Sequence, residues 1–384
     1  MKTVRADKYC KFVTDGTHDS PKQVNKGRKL ITSKHLSRYG IDFESAKNIS
    51  ELDYQKVISR SKVEQWDILF SMIGTIGNLY LERNHTIEYA CKNMGIFQMG
   101  GDERKAKWLY YYLQTPKARK YIETSGRGTT QSYVPLAALR ALPIDVVDDF
   151  TRDKIIKILW NIDEKILTNM QVNENLLQQA VAVFNKFYDT STNLQPFTTL
   201  INVLGGGTPK TGNPEFWDGS IPFFTPKDVG TPYTFKTEKY ITEAGLNHCN
   251  SRLYPQNTTF VTARGTVGKI SLAGSPMAMN QSCYALASEI VDPLLVYFYV
   301  LKAVTSLKHK ASGAVFDAIV TRDFDGEMIN ILSDTDSESA LSIIKPMMEA
   351  IHNNSKENMR LSAVRDALLP KLISGEIDVS SLDI

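Results

Sequence analysis

The segment at residues 265–269 contains the residue types that bind phosphate groups. It reads Gly-Thr-Val-Gly-Lys, and a nucleotide-binding phosphate loop combines glycine amides with a lysine in this way. Such a loop needs a longer separation between its glycines than the two residues found here. The spacing therefore excludes a phosphate loop and predicts a glycine turn between two strands.

Other candidate catalytic motifs are incomplete. Asn213–Phe216 reads Asn-Pro-Glu-Phe, which departs from the Asn-Pro-Pro-Phe motif of adenine methyltransferases, and no glycine-rich strand–turn–helix accompanies it. The acidic segment Asp323–Glu327 lacks the following lysine expected of a metal-dependent nuclease. The histidines are scattered along the chain: His18, His35, His85, His248, His309 and His352. We therefore expect a chain that is not an enzyme by itself.

Metal binding and membrane insertion are also not indicated. The cysteines lie far apart and form no CxxC pair, so we expect reduced thiols and no zinc site. They are Cys10, Cys91, Cys249 and Cys283. Met1–Cys10 has no apolar stretch of the signal-peptide kind, and the longest apolar run, Leu294–Leu301, is too short to cross a bilayer. These features predict a cytoplasmic protein.

Length and composition describe an ordinary globular chain with an uneven charge. The 384 residues suffice for two or three domains, and 42% of them are apolar. Residues 1–147 carry 24 Lys and Arg against 15 Asp and Glu, whereas residues 333–384 sum to −4. A basic first third is a weak indication of a polyanionic partner, and a solvated lysine-rich surface explains it equally well.

An internal repeat gives the clearest information about architecture. The segment 68–81 recurs at 260–272, where Gly-Thr-x-Gly returns at an offset of 191 residues, and Ser125-Gly126 recurs as Ser312-Gly313 at an offset of 187. A helical stretch follows in each half. The order of these features is kept over too many residues for a solenoid unit. We infer one duplicated module, each copy followed by a helix.

The helical stretches, 151–188 and 338–375, show apolar residues at heptad positions a and d, with Val183 of the first stretch and Met347 of the second among the d positions. Asn169 and Asn173 interrupt the first seam, and Asn354 and Asn358 interrupt the second at an offset of 185. Antiparallel packing would pair these amides, whereas other registers would bury them against Ile and Leu. Parallel packing in register would also align them, but two related modules within one chain favour the antiparallel arrangement. The prediction is an antiparallel coiled coil with two asparagine layers; solvated asparagines are the alternative.

The predicted fold class is α+β, with two duplicated mixed α/β modules separated by two long antiparallel coiled-coil helices. The predicted boundaries are 1–150 for the first module, 151–190 for the first helix, 191–333 for the second module and 334–384 for the second helix with its tail.

Several segments in this order resemble one protein family. They are Gly205–Asp228, its looser counterpart at 14–22 and 30–36, the Arg-Gly-Thr-Val-Gly turn at 264–268, and Leu368–Ile377. Together they resemble the DNA-specificity (S) subunit of type I restriction-modification systems. The N-terminal segment before the first recognition loop is shorter than is typical of that family.

The resemblance implies that each module is a target recognition domain for one half of a bipartite site in double-stranded DNA. It implies helices that dock two modification (methyltransferase) subunits, which methylate adenine with S-adenosylmethionine, and restriction (translocase-nuclease) subunits that use ATP and Mg. No cofactor or metal is expected in this chain, and no membrane partner. The alternatives are a coiled-coil scaffold or regulator that does not read DNA, and a self-contained restriction endonuclease.

The resemblance also points to DNA-contacting residues, because Lys and Arg bind phosphates while donors and acceptors read base edges. Glycines in these loops are expected to form turns, and Trp217 is expected to serve as a packing anchor. The predicted DNA-binding residues are Lys22, Lys26, Arg28, Lys29, Ser33, Lys34, Arg38, Arg127, Thr129, Thr130 and Gln131 in the first module, and Lys210, Thr225, Lys227, Arg264 and Lys269 in the second.

Overall fold

A computed structural model describes residues 2–127, 132–310 and 318–382. The chain divides into two compact units, residues 1–167 with 361–384 and residues 168–360. The strands are β1 (Lys2–Arg5), β2 (Phe12–Asp15), β3 (Arg28–Ile31), β4 (Leu36–Ser37), β5 (Gly40–Ile41), β6 (Asn48–Ile49), β7 (Ile68–Ser71), β8 (Leu79–Leu81), β9 (Tyr89–Cys91), β10 (Met94–Gln98), β11 (Pro143–Val146), β12 (Leu194–Pro196), β13 (Asn202–Gly205), β14 (Trp217–Phe224), β15 (Tyr233–Thr234), β16 (Lys239–Ile241), β17 (Thr259–Thr262), β18 (Ile270–Ala273), β19 (Ala278–Met279), β20 (Cys283–Ala287) and β21 (Met328–Asn330). The α-helices are α1 (Ala6–Tyr9), α2 (Glu51–Ser61), α3 (Glu103–Tyr112), α4 (Pro116–Ser125), α5 (Leu136–Ala141), α6 (Asp149–Thr190), α7 (Glu243–Asn247), α8 (Pro293–Lys310), α9 (Thr321–Asp325) and α10 (Asp334–Ser374).

The first unit is built on an antiparallel sheet in the order β2-β10-β7-β8. A smaller sheet, β6-β3-β9, contains the parallel pair β3 and β9. Asp102 is the N-cap of helix α3, and its side chain accepts from the Lys105 amide at 3.0 Å. Its aromatic side chains, Trp108 and Tyr111 among them, are buried in one core with Phe70 and other residues of the sheet.

The second unit repeats this plan. Its main sheet has the order β13-β20-β17-β18, and a short strand, β15, extends it by pairing parallel with β18. A second sheet, β16-β14-β19, again contains one parallel pair. Helix α8 lies inside the core of this unit, because ten of its residues are buried and Leu294–Val300 are buried without interruption. The duplication inferred from the sequence is therefore confirmed.

The asparagine layers form in the second unit. Asn169 Nδ2 donates to Asn358 Oδ1 at 2.9 Å, and Asn354 Nδ2 donates to Asn173 Oδ1 at 2.9 Å. Because the residue number rises along α6 as it falls along α10, the two helix segments of this unit are antiparallel. Asn169 and Asn173 are buried, so the predicted polar layers are confirmed and the solvated alternative is wrong.

The heptad positions predicted as d are partly wrong. Val183 and Met347 are half-buried, whereas the residues that follow them, Phe184 and Met348, are buried. The reason is that α8 packs on the flank of α6: the rings of Phe184 and Phe298 stack with their centroids 5.3 Å apart. The module therefore shifts the buried stripe away from the seam that a free coiled coil would use.

In the first unit, the helix segments meet through a buried ion pair. Arg365 Nη1 donates to Asp163 Oδ1 at 2.6 Å, and these side chains are 3% and 2% exposed. Tyr111 donates to the other carboxylate oxygen at 2.8 Å, and Tyr39 donates to Oδ1 at 2.9 Å. Helix α10 continues through both of its prolines and ends before Gly375, whose φ is 78°.

Within the described ranges, no helix combines the length and apolarity needed to cross a bilayer. The cysteines are free thiols, and three of them are buried. Among the same residues, no group of three or more His, Cys, Asp or Glu side chains is arranged to hold a metal ion.

Candidate nucleic-acid interface

The turn between β7 and β8 is organised by the hydroxyl group of Ser71. Its Oγ donates to the carbonyl oxygen of Thr75 and accepts from the amide of Asn78 at 2.9 Å. Gly74 and Gly77 have φ angles of 79° and 92°, a region that glycine enters without the steric cost of a Cβ. The sequence Gly-Thr-Ile-Gly thus forms one turn, in which Gly74, Thr75 and Gly77 are exposed.

The turn between β17 and β18 has the same construction. Thr262 Oγ1 donates to the carbonyl oxygen of Thr266 and accepts from the amide of Lys269 at 3.0 Å. Gly265 and Gly268 have φ angles of 82° and 72°. The predicted correspondence at an offset of 191 residues is confirmed in the hydrogen bonds as well as in the backbone.

A second kind of turn is also duplicated, and neither of its capping residues is among the sequence-predicted site residues. In the first unit, the amide and hydroxyl of Thr32 lie 2.9 and 3.2 Å from Nδ1 of His35. In the second unit, the amide and hydroxyl of Thr225 donate to Asp228 Oδ2 at 2.8 and 2.6 Å. The fourth residue of each turn caps the first. Threonine followed three residues later by His or Asp is the signal that could have revealed it.

Each capped turn presents a lysine at the same position. Lys34 and Lys227 occupy the third place of their turns, and both side chains are exposed. Lys227 also forms an exposed ion pair with Glu238 at 3.4 Å. An exposed pair of this kind is weak, so the ammonium group remains available to a stronger anionic partner.

The two kinds of turn lie side by side in each unit. In the first unit, the Cβ position of Gly74 is 3.6 Å from Ser33 Oγ. In the second, Thr266 Oγ1 donates to the carbonyl oxygen of Pro226 at 3.4 Å. The sequence separates these turns by about 40 residues, yet the structure brings Ser33 and Lys34 to one glycine turn and Lys227 to the other.

In each unit, a third segment pairs with the residues just before the glycine turn, and we call the two turns and this segment a turn cluster. The amide of Val134 donates to the Met72 carbonyl oxygen at 2.9 Å, and the amide of Ile319 donates to that of Ala263 at the same distance. Arg127, on the strand-like segment that pairs with Tyr133, is exposed. The predicted residues Thr129, Thr130 and Gln131 follow Arg127 and lie outside the described residues.

Among the described residues, the turn cluster of the second unit carries more basic side chains than that of the first. Arg264 and Lys269 are exposed on its glycine turn. Lys308, which is not among the sequence-predicted residues, donates from Nζ to the Gly268 carbonyl oxygen at 2.7 Å. Burial and the nearby Lys269 ammonium group lower the pKa of Lys308. Adjacent ammonium groups repel each other, and an anion such as a phosphate relieves that repulsion.

Two predicted residues near the start of β3 already have protein partners. Arg28 forms ion pairs with Glu51 at 3.1 Å and with Glu88 at 2.5 Å. Lys29 Nζ donates to the Ala46 carbonyl oxygen at 3.0 Å. Their placement at the opposite end of β3 from Ser33 and Lys34 separates them from the glycine turn.

The remaining predicted residues have different surroundings. Lys22 and Lys26 are exposed on the loop before β3, and Lys210 is exposed on the glycine-rich loop after β13. Arg38 lies 3.6 Å from Asp366 of α10 and is only partly exposed. Thr225 is the capped residue described above. DNA contact by these residues stays a prediction.

Trp217 packs as expected of an anchor. Its ring meets that of Phe223 edge-on, with centroids 5.6 Å apart, and its Nε1 donates to the Lys210 carbonyl oxygen at 3.2 Å. Gly206 is a close-approach glycine, because its Cβ position lies 2.2 Å from the Asn280 carbonyl oxygen. Both residues shape the loop that carries Lys210.

The acidic segment Asp323–Glu327, which lacks the lysine of a nuclease motif, has a structural role. Asp323 Oδ2 accepts from the Val320 amide at 2.7 Å and caps α9. Glu327 is buried and paired with Lys310. These contacts account for two of the three carboxylates of the segment, and the third, Asp325, is exposed.

Comparison with known proteins identifies the family. The model for the type I restriction modification DNA specificity domain matches residues 22–178 and 198–359. The chain belongs to this family. Each matched segment contains one capped turn and one glycine turn.

Two relatives carry specificity-subunit names. The MjaIX specificity subunit of Methanocaldococcus jannaschii is 27% identical over 168 residues, which cover 42% of this chain and 39% of that protein. The HindI specificity subunit of Haemophilus influenzae is 20% identical over 425 aligned positions, which cover 86% of this chain and 90% of that protein. The first match thus spans under half of its relative, and the second spans most of it.

The fold is also found in a solved structure of the specificity-subunit family. The S subunit of a type I restriction-modification system from M. genitalium matches with a TM-score of 0.54 and 15% sequence identity. The match covers 97% of this chain and 95% of that one. At this identity the likeness shows the fold alone.

Proposed function

We propose that this chain is the sequence-specific DNA-recognition subunit of a type I restriction-modification complex. Each module reads one half of a bipartite site in double-stranded DNA. The observation that carries the proposal is the duplicated surface in which a capped turn with an exposed lysine lies against a glycine turn. A scaffold that joined proteins without reading DNA would have no need for this surface in both modules.

The residues of each surface divide the work of DNA binding. Lysine ammonium groups contact phosphates and fix the register of the module on the duplex. In this proposal, neighbouring donors and acceptors, such as Ser33 in the first module and Arg264 in the second, read base edges. The glycine turns bring the backbone close to the DNA without a Cβ in the way.

The chemistry belongs to partner subunits in this proposal. Exposed apolar residues on α6 and α10, such as Val172 and Val364, offer contact sites for two modification (methyltransferase) subunits. Those subunits would use S-adenosylmethionine to methylate adenine, and the restriction (translocase-nuclease) subunits would use ATP and Mg. Because the substrate is cellular DNA, we place the complex in the cytoplasm.

The test is a matched pair of variants, Lys34→Ala and Lys227→Ala. The target is first obtained by sequencing the methylated adenines in a host that carries this chain and its partners. Affinity is then measured in the assembled modification complex over a range of salt concentrations. Each variant should weaken binding and reduce the salt slope by about one unit, as expected when one phosphate contact is lost.

The control is Lys120→Ala, which removes an exposed lysine of α4 outside the surface described above. It should leave the salt slope unchanged. Duplexes with one scrambled half-site assign each lysine to its own half. If the Lys34 and Lys227 variants both bind with the original salt slope, the proposed DNA surface is wrong.

A further inference from the structure

The capped turns of the two modules differ in the side chain that caps them. The cap in the first module is the imidazole of His35, and the cap in the second is the carboxylate of Asp228. Both hold the backbone amide of the first turn residue, and both therefore fix the lysine that stands one place before the cap. Their acceptors respond differently to protons.

We propose that His35 is a positioning residue that makes DNA binding by the first module depend on pH, while Asp228 keeps the second module constant over the same range. The inference rests on the proposed function. His35 Nδ1 accepts from the Thr32 amide at 2.9 Å, so it must be unprotonated in the folded turn. Protonation turns this acceptor into a donor, and the Thr32 amide then faces a second N–H.

The surroundings of His35 set the direction of the effect. The residue is 3% exposed. Burial, and then the Lys34 ammonium group, lower the pKa of His35; Lys29 of β3 acts in the same direction, while Asp42 and the backbone at Ser45 oppose them. Because the folded pKa lies below the ordinary value, the cap is complete above that value and is lost as the pH falls through the folded pKa.

The cap of the second module has a different chemistry. Asp228 Oδ2 holds both donors of Thr225, and its Oδ1 accepts from the Glu238 amide at 2.7 Å. Lys227 on its own turn pairs with Glu238 on the following segment, and the Cys283 thiol also lies close enough to Asp228 to interact with its charge. Ionised carboxylates are acceptors on both oxygens, and carboxylates as a class protonate well below the range of imidazoles.

The experiment measures DNA binding between pH 5 and 8 by the full chain in its modification complex. The probes are the intact bipartite duplex and two duplexes with one half-site scrambled. In the wild type, acidification should weaken the contribution of the half-site read by the first module about fivefold, the effect of one lost buried hydrogen bond. His35→Asp and His35→Asn should both remove this dependence, because each supplies an acceptor that does not titrate in the range.

The reciprocal variant Asp228→His should transfer the dependence to the other half-site. A wild-type profile that His35→Asp and His35→Asn leave unchanged would overturn the inference. A second readout needs no DNA: hydrogen exchange in residues 30–38 of the wild type should rise on acidification relative to His35→Asn at the same pH. Exchange that rises without any DNA binding would reject the proposed function while supporting the cap; exchange that does not rise would reject the cap.

Discussion

The two units attach a module to helix residues in different ways. In the first unit, α6 and α10 meet the module through the buried ion pair of Asp163 and Arg365 and the hydroxyls of Tyr39 and Tyr111. Burial alone would lower the pKa of Arg365, but the Asp163 carboxylate holds it above its ordinary value. The junction is polar, and each charge depends on the other.

The second unit uses apolar side chains at the corresponding positions. At the offset of 185 residues, Met348 stands for Asp163 and Ala180 stands for Arg365, and both are buried. Phe184 fills the junction by packing on Phe298 and edge-on against Tyr299, with a centroid distance of 5.2 Å for the latter. The same fold is therefore joined to its helix residues by a buried ion pair in the first unit and by apolar packing in the second.

The two units should therefore differ in how well they tolerate substitutions at these junctions. A buried ion pair loses most when only one partner is removed, because an unpaired charge remains in the core. A packed aromatic junction loses stability in proportion to the volume removed. Exchanging the two solutions is therefore the direct test of the comparison.

The largest effect is expected from Arg365→Met. The substitution leaves the Asp163 carboxylate buried without its cation and should lower the free energy of unfolding of the first unit by about 3–5 kcal/mol. Urea denaturation followed by hydrogen exchange of peptides from each unit measures it. The double variant Asp163→Met with Arg365→Ala copies the residues of the second unit and should recover much of the loss. If the double variant is as unstable as the single one, the apolar residues of the second unit cannot replace the ion pair of the first.

Phe184→Ala tests the packed junction. Removing a buried ring should lower the free energy of unfolding of the second unit by about 3 kcal/mol, from lost apolar burial and the remaining cavity. The matched control is Val183→Ala, the neighbouring and half-buried residue that the heptad pattern assigns to the seam. Thermal denaturation of both variants compares them. Equal losses would mean that the seam, and not the aromatic cluster, holds this unit.

The stability of the two units should depend differently on pH because of one residue beside the main sheet. Burial raises the pKa of Asp67, next to β7, to about 6, while the corresponding residue of the second unit is Thr258. A raised folded pKa means that the contribution to stability is present below the ordinary value of 3.8 and is lost as the pH rises through about 6. Relative to Asp67→Asn, the wild type should lose about 2–3 kcal/mol between pH 4 and 7. Urea denaturation at several pH values checks this difference, and a constant difference would contradict it.

The smallest effect is expected at the asparagine layers. Asn173→Leu leaves the Asn354 amide without its acceptor and should cost about 1–2 kcal/mol. Adding Asn354→Leu removes both amides and should restore stability. Circular dichroism during thermal unfolding gives both numbers. A single variant as stable as the wild type would show that this layer specifies register without contributing stability.

Features with local causes could be predicted from the sequence. The glycine turns follow from the spacing of Gly74 and Gly77, and the antiparallel helix pairing follows from the matching Asn positions. The buried role of Phe184 could not be predicted, because the helix that covers it comes more than 100 residues later. The same holds for Arg28, whose acidic partners Glu51 and Glu88 come from two distant segments.

The first unit is assembled from two separated stretches of chain, and this has a consequence for synthesis. Residues 361–382 contribute Arg365 to the ion pair and supply the carbonyl oxygens of Ser380 and Leu382 that bind Lys154 Nζ at 2.9 and 2.7 Å. The second unit is continuous and leaves the ribosome before them. The unit whose translation begins first is thus completed last. In a nascent chain that ends before residue 361, the second unit is complete, whereas the first still lacks Arg365 and the carbonyl oxygens that bind Lys154.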